Sequence, residues 1–253
     1  EIKDLDAITP EQLQHFHKQH YTSTHCKVML AGTIDDGLVA LVNKHFGGHD
    51  WGGVSVMSKN VPSLLSSETR KHVVEKEGVL QSAIFIGKLM FNKTHPDYHA
   101  MLVLNTVLGG YFGSRLMSNI REDKGFTYGI GSLMISYLNS GIFYITTEVG
   151  ADNCTQAVEE IYKELKLLRT QLIPEEELLL VKNYMLGSLL RGFDGPLLAA
   201  DRLRSVLEFD LDLNSYYKEY IHTIKNINSL QLQELANKYL DESSLVELVV
   251  GKK

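Results

Sequence analysis

Cysteine and proline are scarce in this sequence, with two cysteines and five prolines among 253 residues. The two thiols, Cys26 and Cys154, are too few and too far apart in the chain to build a disulfide framework. They also lack the clustered spacing of a structural zinc knuckle. We therefore interpret both cysteines as small apolar residues.

Long hydrophobic runs and an excess of basic residues are also missing. The longest apolar runs, such as residues 84–86 and 101–104, are far too short to span a bilayer. The net charge of −6 argues against a nucleic-acid partner, which would need a clustered basic face. Hydrophobic residues make up 44% of the chain, so the chain can bury a sizeable core.

The chain begins with Glu1 rather than methionine, and no signal-like segment follows. We expect the sequence to start inside a larger protein. The lack of a targeting signal then indicates nothing about the compartment.

The first 46 residues predict a helix, a short strand and a second helix. Thr9 and Gln12 form a capping box around Pro10, which predicts a helix that runs to about Tyr21. Residues 27–32 predict a buried strand, and residues 36–46 predict the second helix. One short strand cannot build a sheet, so we interpret residues 1–46 as the C-terminal remnant of a first domain. The glycine- and serine-rich residues 47–67 are interpreted as a linker.

Residues 68–253 predict a complete second domain. Strands are expected at residues 69–75, 81–89, 126–137, 141–149 and 245–250. Helices are expected after a capping box at residues 94–97, over residues 114–123, and repeatedly after Asp152. Strands grouped before helices are typical of an α+β fold, here a mainly antiparallel sheet covered by helices on one face.

Several motifs occur in one order along the chain. The strongest are LGGYFGSRL at residues 108–116 and IREDKGFTY at residues 120–128. Weaker ones are HY at residues 20–21, LAG at residues 30–32, FG at residues 46–47 and IPEEEL at residues 173–178. Together they resemble the rear part of pitrilysin/insulinase-type zinc peptidases, in the bacterial and mitochondrial-processing-peptidase-like branch.

The resemblance implies a pair of similar α+β domains that face each other across a chamber. The first would bind zinc through an inverted His-x-x-Glu-His motif, and the second would supply an Arg and a Tyr near the cleaved bond. Arg121 and Tyr128 stand at the matching spacing and become the candidate catalytic and substrate-binding pair. Gly109 and Gly110 would end a helix and shape the wall beside this site.

Those side chains suit the implied chemistry. Peptide hydrolysis builds negative charge on the carbonyl oxygen, which a phenol can stabilise while a guanidinium orients substrate carbonyls. The competing structural interpretation has Arg121 paired with a neighbouring carboxylate such as Glu122, and Tyr128 packed among core residues.

The family's zinc motif is not in this sequence, in either orientation. His15, His17 and His20 cluster on one predicted helix, but the first two do not share a face and no acidic ligand is adjacent. His45 and His49 are no stronger candidates. We expect zinc in the full-length protein or in a partner subunit, and none bound by this chain.

The sequence therefore leaves two main alternative functions, and a third alternative is considered after them. The chain is either the substrate-binding part of a zinc endopeptidase, inactive alone, or part of a non-catalytic subunit that pairs with an active homologue. A scaffold subunit, as in respiratory complexes, is the third. The expected partners are a peptide or unfolded polypeptide, the first domain, and a second subunit in a homo- or heterodimer.

Overall fold

The computed structural model describes residues 2–48, 51 and 67–253. The helices and strands are, in chain order, α1 (Ile2–Asp6), α2 (Pro10–His20), α3 (Asp36–Phe46), β1 (Lys71–Glu75), β2 (Gln81–Met90), α4 (Tyr98–Gly109), a π-helix (Met117–Asp123), β3 (Ile130–Tyr137), β4 (Ser140–Gly150), α5 (Cys154–Thr170), α6 (Glu175–Arg191), α7 (Pro196–Leu207), α8 (Leu213–Asn226), α9 (Ser229–Tyr239) and β5 (Val246–Gly251).

The chain divides into two compact units. One comprises residues 1–63 with 194–204, and the other residues 64–193 with 205–253. The predicted linker at residues 47–67 lies mostly outside the described residues. The domain boundaries expected from the sequence stay predictions.

The first unit contains the two helices expected near the start of the chain. The capping box at α2 is confirmed, because the Thr9 amide donates to Gln12 Oε1 at 2.9 Å and the Gln12 amide to Thr9 Oγ1 at 3.3 Å. Neither α2 nor α3 buries a residue, as far as the described part of the chain extends. Leu13 and Phe16 are 59% and 56% exposed. The apolar stripe of α2 therefore faces solvent here.

The strand predicted at residues 27–32 is wrong. These residues adopt no strand, and Val28 and Met29 are exposed rather than buried. A strand is stable only when a neighbour satisfies its backbone groups and a layer covers its apolar face. Neither is present among the described residues of the first unit.

The second unit contains the predicted α+β layer. Its five-stranded sheet has the order β1-β5-β2-β4-β3, and only the β1–β5 pair is parallel. The β3–β4 hairpin pairs Tyr137 with Ser140, so its turn consists of Leu138 and Asn139 and β4 begins one residue before the strand expected at residues 141–149. The fold class is confirmed as a mainly antiparallel sheet with helices.

The helices cover one face of this sheet. Phe143, Ile145 and Val149 of β4 are fully buried, in the alternating pattern of a strand with one face in the core. They meet the apolar stripe of α5, whose members Ile161, Leu165 and others are also buried. The opposite face carries Phe85 and Tyr144, whose rings lie 6.2 Å apart, and is partly open.

The start of α4 differs from the prediction. The expected capping box at residues 94–97 does not form, and Asp97 caps α4 without a side-chain hydrogen bond to it. Thr94 instead donates to Asn92 Oδ1 at 2.7 Å, while the Asp97 carboxylate accepts from Lys238 at 2.8 Å and Tyr239 at 2.6 Å. A cation and a phenol from α9 compete successfully for this carboxylate.

Among the described residues, none of the helices has both the length and the apolarity needed to cross a membrane.

Candidate functional site

Arg121 lies in a π-helix rather than in the α-helix that the sequence predicts for residues 114–123. The Lys124 amide donates to the Asn119 carbonyl at 3.1 Å, which is the i→i+5 pattern of a π-helix. The Phe126 amide donates to the Ile120 carbonyl at 3.0 Å. π-Helical turns are rare and occur frequently at functional sites.

Tyr128 lies in a short loop between this π-helix and β3. Gly125 has a φ of 65°, a left-handed conformation that few other residues adopt, which explains the glycine in the motif. The strand predicted from residue 126 begins only at Ile130. Residues 126–129 are held by Thr127, whose hydroxyl lies 2.6 Å from the Glu148 carbonyl and accepts from the Gly129 amide at 3.1 Å. These contacts replace ladder hydrogen bonds and fix the backbone beside Tyr128.

The structure brings the two predicted site residues together. The Arg121 guanidinium carbon lies 5.4 Å from the centroid of the Tyr128 ring, within cation–π distance. Tyr128 is 91% exposed, so it does not pack in the core. Among the described residues, no carboxylate forms an ion pair with Arg121 and no group hydrogen-bonds the Tyr128 hydroxyl. The local pairing with Glu122 does not form.

Phe112 also contacts Arg121, and the sequence did not identify it as a site residue. Its ring centroid lies 4.6 Å from the Arg121 guanidinium carbon, closer than that of Tyr128, and the side chain is 62% exposed. We call Phe112, Arg121 and Tyr128 the arginine cluster. An aromatic residue nine positions before the arginine follows no helix or strand period, so the sequence signal for Phe112 was limited to its place inside the LGGYFGSRL motif.

The π-helix is fastened to α5 through Asn119. Its amide nitrogen lies 2.9 Å from Glu160 Oε2 and 2.7 Å from Glu164 Oε1. Lys124 adds an ion pair with Glu160 at 3.4 Å. The Asn119 hydrogen bond lowers the pKa of Glu160, whereas burial raises the pKa of Glu164.

A second attachment joins two of the motifs that carry the resemblance. Arg115 of the LGGYFGSRL motif donates two parallel hydrogen bonds to Glu177 of the IPEEEL motif, at 2.7 and 2.8 Å. A fork-to-fork pair of this kind fixes orientation as well as distance. It ties the segment before the π-helix to the first turn of α6.

Gly109 and Gly110 end α4, as predicted, but without a left-handed residue. Gly110 has φ −83° and its amide donates to the Thr106 carbonyl at 3.3 Å. Gly109 is buried against β3, where an added Cβ would lie 2.5 Å from the Ser132 nitrogen. This glycine therefore allows a close approach between α4 and β3, while Gly110 is exposed. Their predicted role in substrate binding stays a prediction.

The candidate metal ligands do not assemble. No group of three or more His, Cys, Asp or Glu side chains that could hold a metal is found in the part of the chain that the structure describes. At the end of α2, the ring of His17 stacks on that of Tyr21, the residue after the helix, at 4.7 Å, and the rings of Phe16 and His20 lie 4.3 Å apart. His49 lies outside the described residues. The described side chains therefore do not fit a zinc ion.

The chain is similar to a known family of peptidase domains. The family model described as the peptidase M16 inactive domain matches residues 7–185, which is more than half of the chain. The predicted resemblance to a zinc-peptidase family is thus confirmed at the level of the family.

Curated relatives include proteins with and without an implied activity. An "Uncharacterized zinc protease" of Bacillus subtilis is 27% identical over 245 residues, covering 97% of this chain and 58% of its own length. A "Probable inactive metalloprotease" of the same organism is 24% identical over 196 residues, covering 77% of this chain and 45% of its own length. The chain thus spans about half the length of these relatives.

A solved structure shows the same fold. The crystal structure of a peptidase M16 inactive domain from Pseudomonas fluorescens superposes with a TM-score of 0.83 at 22% identity. The match covers 97% of this chain and 58% of that one.

Replacing Gly109 tests the close approach of α4 to β3. In Gly109→Ala the added Cβ meets the Ser132 backbone, which cannot move without breaking the sheet, so we expect the free energy of unfolding to fall by about 1–3 kcal/mol. Urea denaturation measures this change. The matched control is Gly187→Ala in α6, where an added Cβ meets nothing within 4 Å, so the helix should be unaffected or slightly stabilised. Equal stability of Gly109→Ala and the parent would contradict the close approach.

Replacing Glu164 tests the buried carboxylate beneath the π-helix. Because burial raises its pKa, the folded protein binds this proton more tightly than the unfolded chain does. The group's contribution to stability is therefore full at acidic pH and falls as pH rises above the ordinary glutamate pKa. Glu164→Gln keeps an acceptor for Asn119 and removes this dependence. In urea titrations from about pH 4 to about pH 8, the variant should gain stability relative to the parent. A constant difference would refute this account.

Proposed function

This chain belongs to the peptidase M16 inactive-domain family, and on that premise we propose that it is the substrate-binding part of a zinc endopeptidase. Arg121 and Tyr128 would contact the peptide beside the cleaved bond. The observation that supports this most directly is the free state of both polar groups. The guanidinium has no carboxylate partner and the phenol no hydrogen-bond partner among the described residues.

The unpaired groups are the kind that an extended peptide needs. A guanidinium has five N–H donors in a fixed plane, and its contacts with the two rings, at 4.6 and 5.4 Å from the centroids, place no oxygen acceptor on those donors. Peptide carbonyls are acceptors, so Arg121 would hold the substrate backbone. The Tyr128 hydroxyl would donate to the carbonyl oxygen of the cleaved bond, on which negative charge develops. Contacts with the substrate backbone do not depend on the substrate's side chains, so peptides of many sequences would fit.

Zinc is proposed to be held outside this chain, either elsewhere in the whole protein or by a partner subunit. The described side chains do not fit a zinc site, and the relatives named zinc proteases are longer than this chain. This chain would bind and orient the peptide and would supply a hydrogen-bond donor to the developing oxyanion. Placing these donors apart from the metal would make hydrolysis depend on closure around the substrate.

The alternative is a non-catalytic partner subunit that keeps the same surface. It is favoured by one observation, the match over 77% of this chain to a relative named a probable inactive metalloprotease. In that case the arginine cluster would bind polypeptide and present it to an active homologue.

A peptidase assay on the whole protein separates the two proposals. With an unstructured reporter peptide, an endopeptidase should cleave, and a chelator should abolish the cleavage. A partner subunit should cleave only after an active homologue is added. The 253-residue chain alone should not cleave in either case. Robust, chelator-sensitive hydrolysis by the chain alone would contradict the proposal that the metal lies outside it.

Substitution of the two polar groups tests their roles. Tyr128→Phe removes one donor to the oxyanion, so we expect kcat to fall about 100-fold with little change in KM. Arg121→Lys keeps the charge but loses the planar fork, so KM should rise about tenfold. The matched control is Tyr137→Phe, at the far end of β3 and 51% exposed, which should behave as the parent does. Unchanged kcat in Tyr128→Phe would remove Tyr128 from the mechanism.

A further inference from the structure

Phe112 occupies a position that neither the motif nor the proposed chemistry explains. It lies in the segment between α4 and the π-helix, and most of its ring is exposed to solvent. Its centroid is 4.6 Å from the Arg121 guanidinium carbon, against 5.4 Å for Tyr128. Because 62% of Phe112 is exposed, burial of its ring contributes little to stability. The specific contact that the ring makes is the cation–π contact with Arg121.

The backbone around Phe112 is held on both sides. The preceding ring, Tyr111, packs on Tyr184 of α6 with centroids 4.7 Å apart. The Ser114 amide donates to the Tyr111 carbonyl at 3.1 Å, which closes a tight turn over Phe112. Ser114 itself is buried. These contacts fix the backbone on both sides of Phe112, and therefore the position from which its ring extends.

Arg121 depends on such support more than most arginines do. Its side chain has several rotatable bonds, and no carboxylate among the described residues restrains its tip. Tyr128 supplies a second ring, but that residue is almost fully exposed and stands on a short loop. Of the two rings, Phe112 is the nearer, and its loop is anchored to α6.

We propose that Phe112 is a positioning residue, which holds the Arg121 guanidinium in the orientation that binds the substrate backbone. This inference rests on the proposed function for its consequence in hydrolysis, but not for the contact itself. Phe112 acts through Arg121 and does not need to touch the peptide. An aromatic face is required at this position, whereas apolar volume alone is not sufficient.

The contact is tested first in the chain itself, without any activity. The side-chain Nε–Hε resonance of Arg121, assigned by its loss in Arg121→Lys, should be shifted by the nearby ring currents. In Phe112→Leu it should move toward the position of a free arginine, and in Phe112→Trp it should remain shifted. The matched control Tyr137→Leu removes an exposed aromatic ring at the far end of β3 and should leave the resonance in place. An Arg121 resonance that ignores the loss of the Phe112 ring would overturn the proposal.

The consequence is tested by a double-mutant cycle in the whole protein. Phe112→Leu should raise KM for the reporter peptide about three- to tenfold and leave kcat nearly unchanged, since a contact of this class has that value. Phe112→Tyr and Phe112→Trp should restore the parental KM. In an Arg121→Gln background, Phe112→Leu should have no further effect.

The outcomes separate this inference from the proposed function. If Phe112→Leu raises KM equally with and without Arg121, Phe112 contacts the peptide directly and the positioning role is wrong. If Arg121→Gln leaves hydrolysis unchanged, the proposed function fails, and the role of Phe112 in hydrolysis fails with it. The resonance of Arg121 then still decides whether the ring orients the guanidinium.

Discussion

The attachment of residues 114–124 to α5 and α6 is the constraint on which the candidate site depends. Arg115 and Asn119 bind carboxylates of Glu177, Glu160 and Glu164 in these two helices. Residues two positions apart in a helix point in different directions, so a π-helix that turns Asn119 toward α5 turns Arg121 away from it. The same contacts that stabilise the π-helix therefore leave the Arg121 guanidinium on the other side, where Phe112 and Tyr128 lie.

An arginine without a carboxylate partner is unusual only when it is shielded from water, and Arg121 is half-buried. Two aromatic rings lie over the cation at little cost in desolvation, and neither uses its hydrogen-bond donors. A carboxylate in the same place would bind the fork directly and compete with any peptide carbonyl. The composition of the arginine cluster thus favours an external acceptor over an internal one.

Local patterns predicted most of the second unit, for reasons that particular residues make clear. The strand at residues 141–149 and the helices after Asp152 were predictable because each buries a single face, and the burial along β4 and α5 has that pattern. The capping box predicted at Thr94 does not form because the Asp97 carboxylate accepts hydrogen bonds from Lys238 and Tyr239, which are remote in sequence. Phe112 was missed for the same kind of reason, since its contact with Arg121 has no sequence period. The choice of Arg121 and Tyr128 as candidate site residues came only through the family resemblance.

In the first unit, a segment with the sequence pattern of a strand does not form a strand, because no neighbouring strand is present among the described residues of this unit. Residues 27–32 have the composition of a buried strand, yet they adopt no strand and expose Val28 and Met29. The neighbouring helices α2 and α3 have formed, because a helix satisfies its backbone internally, but they bury no residue among those described. A strand has no such internal solution and depends on a neighbouring strand. In the proposed organisation a first domain would provide that neighbour, and the apolar stripe of α2 would pack against the same sheet.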